Sequence, residues 1–233
     1  MTNKAHDFSD HLAMGNAILR RLGKSFPSAL KPQVKGFQET HAKFETAAAE
    51  ADAVQNDRDG ALHAIARADE TLDKSVLMLA ESLVLAGLGA RKNPFAKLSR
   101  HTPEQIVELP YYNEVKEVRA LLVKLSKAKA LKAAPRTAQQ ALAASVASCT
   151  RDAREVDAAL RKLVRPQTQL AKVIAARDGL LLEWMKALSL LKKHAAAAWD
   201  AEDAAYSTLF ASPDATQPSR PGTKQAAQGI ANA

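Results

Sequence analysis

Cys149 is the only thiol in a chain of 233 residues. It falls in a stretch where an apolar residue recurs every three or four positions, between Val146 and Ala153, so it reads as a small buried apolar side chain rather than a nucleophile. His6, His11, His101 and His194 are scattered without metal-ligand spacing. His41 with Glu45, and Asp59 with His63, share a helical face at four-residue spacing, but each is a solitary pair. Carboxylate-bridged centres in helical bundles use Glu-x-x-His on two helices, and that pattern does not occur. A Gly-x-Ser-x-Gly elbow and a phosphate-cradling Gly-x-x-x-x-Gly-Lys loop are also missing. The expectation is a non-enzymatic protein with no catalytic, metal-binding or cofactor-binding residues.

Two kinds of basic residue remain. Lys124, Lys127, Lys129, Lys132 and Arg136 form the densest basic stretch, a candidate anion-binding patch, and Arg161, Lys162 and Arg165 add a second. Neither carries the interleaved aromatics on which single-stranded bases stack. Arg58 and Arg177 each open an Arg-Asp-Gly triplet, and the triplets lie 119 residues apart, seventeen heptads, so the arginines share one phase. Pro94 and Pro213 share the same offset. Polar residues on an interhelical seam fix register at some cost in stability, which makes Arg58 and Arg177 candidate register residues. Whether the triplets record a duplicated helical hairpin or chance recurrence stays open at this level. Their glycines would serve a close approach or a bend.

The elements that position these residues are helices. Phe37, His41, Phe44, Ala48, Ala51, Gln55, Arg58, Leu62, Ile65, Asp69, Leu72, Val76, Leu79, Leu83 and Ala86 make one long seam. Leu142, Val146, Cys149 and onward through Trp184, Leu191 and Leu209 make another. The spacing predicts helices over about 8–22, 36–87, 111–132 and 137–210, the last kinked or divided at Pro166. Thr102, Pro103 and Gln105 predict a short capped helix over 103–109, and Gly87 and Gly89 a helix end. The expected fold is all-α: an elongated antiparallel helical bundle of about four main helices. One unit would span 1–110 and a second 111–211, with a disordered tail over 212–233.

Charge and composition narrow the partners without naming one. The net charge is +8, yet Glu45 to Glu81 holds nine acidic residues against three basic ones, and Arg91 to Arg136 eleven basic against four glutamates. An acidic helix pairing with a basic one accounts for that split. The leading expectation is a scaffold or adaptor working through coiled-coil-like contacts with a protein partner or with itself. An alternative is an amphipathic protein of a granule or membrane surface, adsorbing through Ser75 to Ala90. Its alanine-rich, cysteine-poor composition resembles that of phasins, and a pore-forming or injected helical component is a variant of this class. Nucleic-acid binding through the lysine patch is the third reading. One cysteine and an N-terminus without an apolar run point to the cytoplasm, with leaderless export left open.

Overall fold

The structure, a computed structural model, describes residues 4–23, 26–127, 135–199 and 204–212, with side-chain surroundings from Phe8 onward. Among the described residues six α-helices follow in order: α1 Lys4–Leu22, α2 Lys31–Leu85, α3 Pro103–Val107, α4 Tyr111–Lys127, α5 Arg136–Ala198 and α6 Ala204–Leu209. No strand occurs among the described residues, and α2 packs against α5, so the fold is an all-α helical bundle. The tail expected over 212–233 lies outside the described residues apart from Ser212.

Helix ends follow the local chemistry. α2 begins at Lys31, five residues before the expected Gly36, because Pro32 falls in the first turn, where its missing N–H leaves no helical bond unmade. A 3-10 turn at Ser28–Leu30 leads directly into it. At the other end Gly87 takes φ 70°, its N–H bonding the Val84 carbonyl at 3.0 Å while Leu88 N–H bonds Leu83 at 2.9 Å. These are the paired bonds of a Schellman motif, and only glycine adopts that φ without strain. Thr102 caps α3 in a capping box with Gln105, and Pro103 opens the helix. α5 runs unbroken past Pro166 and stops at Ala198. α6 then covers the last positions of the single helix expected to reach residue 210.

Burial follows the seams closely at some positions and not at others. Phe37, His41, Phe44, Ala48 and Ala51 are buried on α2, as are Ile65, Leu72, Val76, Leu79, Leu83 and Ala86. Between them Gln55 and Arg58 are half-buried and Leu62 is exposed. Gly60 and Gly179 hold no close approach, since a Cβ built on either meets no atom within 4 Å. Each therefore carries only the entropic cost of a helical glycine. Gly60→Ala and Gly179→Ala should each stabilise the protein by about 0.5–1 kcal/mol, read from urea unfolding followed by circular dichroism. Gly89 differs: a Cβ there would lie 2.7 Å from the Pro94 carbonyl oxygen, so that turn needs glycine.

Contacts gather the chain into two compact units, residues 1–50 with 175–233, and residues 51–174. These are not the successive stretches 1–110 and 111–211 expected from helix order, because α2 and α5 each run through both units. The first unit holds α1, the start of α2, the end of α5 and α6 around Ile18, Leu30, Phe37, Phe44, Trp184 and Leu191. Arg21 closes it by donating to the Leu209 and Ala211 carbonyls at 3.1 and 2.6 Å, which serves carbonyls at the end of α6. The second unit holds the rest of α2 and α5 with α3 and α4, around Leu72, Leu79, Leu83, Phe95, Ile106, Val118, Leu121 and Val156.

Candidate functional site

The most unusual chemistry lies in the second unit, where α2 meets the start of α4. Asp69 and Asp73 stand one helical turn apart on α2 and therefore share a face. Glu114, in the first turn of α4, joins them, and one oxygen from each of the three carboxyl groups lies within 4.8 Å of the others. Glu114 is fully buried, and the two aspartates are half-buried. Both Glu114 oxygens, Asp69 Oδ1 and Asp73 Oδ1 are buried without a hydrogen-bond partner. Burial is the main force pushing Glu114 up to about 9, and Asp69 and Asp73 add to it. Burial, then the charge of Asp69, also raises Asp73. An α4 N-terminus favours a carboxylate; at Glu114 desolvation outweighs it.

The Glu-x-x-His pattern does not reach this cluster, because Glu117 stands three residues after Glu114. The available signal was Asp69 itself, an acidic residue at a seam position, with Asp73 one turn later. What the sequence does not carry is that Glu114 packs against them from another helix.

Other candidate residues take structural places. Arg58 Nε donates to Gln167 Oε1 at 2.9 Å, joining α2 to α5, and Nη1 lies 3.3 Å from Asp59. Arg177 pairs with Asp178 at 3.0 Å and sets its guanidinium 3.7 Å from the centre of the Phe8 ring. Each is thus an interhelical contact, one by hydrogen bond and one by cation–π stacking. Of the lysine patch, Lys124 donates to the Leu98 carbonyl at 2.7 Å, while Lys127 and Arg136 are exposed. Lys129 and Lys132 lie outside the described residues. Cys149 is fully buried, and burial followed by the charge of Asp152 pushes its thiol up to about 12, which removes thiolate chemistry near neutral pH.

A second polar chain runs through the first unit. Trp184 Nε1 donates to His41 Nδ1 at 3.0 Å, and His41 Nε2 lies 3.2 Å from Asn16 Oδ1. Indole N–H can only donate, so Nδ1 accepts and Nε2 carries the hydrogen that it donates to Asn16. Gly15 makes room for this ring, since a Cβ there would lie 2.3 Å from it. Burial lowers the His41 pKa, against a smaller opposing effect of Glu45. The network joins α1, α2 and α5 and leaves His41 neutral.

The second unit also carries an open cleft of about 550 Å³ between α2 and the 91–104 segment. Leu77, Ala80, Val84, Leu85, Pro94 and Pro103 supply apolar walls, and Glu81, Glu104, Arg91 and Lys92 charged ones. Leu85 is 78% exposed and Leu77 41%. Comparison with protein-family models, curated proteins and solved structures gave no match. Function therefore rests on side-chain chemistry.

Proposed function

We propose that the protein is a non-enzymatic helical scaffold that docks an amphipathic helix of a protein partner in the cleft between α2 and the 91–104 segment. The carrying observation is the juxtaposition of exposed Leu77 and Leu85 with charges of both signs on the same cleft. An amphipathic helix places apolar residues at three- and four-residue steps with charges on its flanks, the pattern such walls accept. A lipid surface is served less well. Within Ser75 to Ala90 the side chains of Val76, Leu79, Ala80, Leu83 and Ala86 are committed to the core, and no described helix is long and apolar enough to cross a membrane. For nucleic acid, Lys124 is already engaged with a backbone carbonyl.

The test compares the tagged full-length chain with its Leu77→Glu/Leu85→Glu form, each purified from native cells. A protein partner should accompany the parent chain and fall about tenfold or more in the variant, with the circular dichroism spectrum unchanged. Leu85→Ser, at the more exposed position, serves if the double variant misfolds. Equal recovery of the same partners by parent and variants would refute the docking site, and recovery of lipid alone would favour the surface-coating alternative.

A further inference from the structure

The carboxyl cluster is a poor piece of core unless something positive occupies it. Hydrophobic side chains of similar volume would fill the junction of α2 and α4 at no electrostatic cost, whereas three carboxyl groups within 4.8 Å repel and pay for desolvation. The seven ion pairs among the described residues leave Asp69, Asp73 and Glu114 out. Glu70 is occupied on the surface by Lys74 at 2.7 Å. The decisive observation is Glu114, wholly buried, with neither oxygen partnered and its carboxyl group set against both aspartates.

We infer that Asp69, Asp73 and Glu114 form a binding site for a hard divalent cation, Mg²⁺, Mn²⁺ or Ca²⁺, that ties α4 to α2. The donor set is all oxygen, which selects these ions over zinc or copper, whose preferred ligands include imidazole or thiolate. Metal–oxygen distances of about 2.1 Å for Mg²⁺ and about 2.4 Å for Ca²⁺ keep the ligand atoms of one ion within about 4–5 Å of each other, and three oxygens within 4.8 Å of one another meet that limit. Such ions keep several waters, which would complete the shell that three carboxylates begin. A bound cation gives the buried carboxyl oxygens a partner of opposite charge. The signal in sequence is an i,i+4 aspartate pair on a core seam joined by a glutamate from a separate helix.

The full chain, freed of metal with a chelator, is titrated with MnCl₂ and followed by electron paramagnetic resonance of free Mn²⁺, with thermal unfolding in MgCl₂, CaCl₂ or neither. One ion should bind with a Kd below roughly 1 mM and raise the melting temperature. Asp73→Asn and Asp69→Asn, each close in shape and half-exposed, should weaken Mn²⁺ binding about tenfold or more, and Glu114→Gln likewise. Glu70→Gln, beside the cluster but paired to Lys74, should leave binding unchanged. Absence of saturable Mn²⁺ binding together with no thermal response to Mg²⁺ or Ca²⁺ would overturn the site. Binding unaltered in all three cluster variants would overturn it equally, since the ion would then sit elsewhere.

Discussion

Trp184→Ala should cost about 4 kcal/mol of stability, the largest loss from a single side chain in the first unit. Trp184 is 1% exposed and its ring lies among Phe37, Phe44 and His11, with centroid separations of 5.7, 6.1 and 5.2 Å. Truncation removes more apolar surface than any other side chain there would, and it opens a cavity that rigid helices close only in part. It also strips His41 Nδ1 of its donor. Trp184→Phe separates these effects: most of the volume stays, the hydrogen bond goes, and the loss should be about 2 kcal/mol. Urea unfolding followed by circular dichroism measures both, and Trp199, packed at the edge of the same core, reports the unit by fluorescence. Equal stability of the parent and Trp184→Phe would mean that the indole–imidazole bond contributes nothing.

Glu114→Gln should act in the opposite direction, stabilising metal-free protein by about 2–3 kcal/mol at pH 8. The folded state holds Glu114 up to about 9, against 4.5 as its ordinary value, so between those limits the native chain keeps a proton that the unfolded chain releases. Stability from this group is therefore complete below about pH 4.5 and is lost as pH rises towards 9. Asp73, also raised, tilts the curve the same way. Glutamine reproduces the neutral carboxyl group and offers N–H donors to the unpartnered Asp69 and Asp73 oxygens. Its stability should vary much less between pH 6.5 and 9 than that of the parent. Relaxation and water entry at the half-buried aspartates hold the gain to that range. His41 has the reverse sign: its lowered pKa leaves stability intact above about 6.5 and lost as pH falls below it. Just below pH 6.5 the two groups therefore act in opposite directions, and above it only the loss from Glu114 and Asp73 remains. Stability independent of pH from 6.5 to 9 in the parent chain would contradict the placement of Glu114.

Local chemistry made most helix ends legible. Thr102, Pro103 and Gln105 specify α3, Gly87 ends α2 and Pro110 precedes α4, because caps, φ angles and missing donors act within a few residues. Heptad spacing also picked out residues that are buried, Phe37, Leu72, Cys149 and Trp184 among them. Two kinds of information were not local. Alanine-rich sequence past Ala198 carries the apolar spacing onward although α5 stops there, since alanine favours helix without specifying what it packs on. Partner choice between helices was equally hidden. Asp69 stood out only as a polar residue on a seam, and His41 as half of a pair with Glu45; their partners Glu114, Asn16 and Trp184 come from other helices. Arg58 and Arg177, matched in the sequence, engage unlike partners, Gln167 and the Phe8 ring.

The docking of a partner helix beside α2 is tested most directly in the cells that make the protein. A photoreactive phenylalanine analogue replaces Leu85 on the cleft in one strain and Val164, 60% exposed on α5, in another. Irradiation should join the chain to one protein from position 85 and not from 164, with the crosslink mapping to a helix of that protein. The same crosslinked species from both positions, or none from 85, would contradict the account.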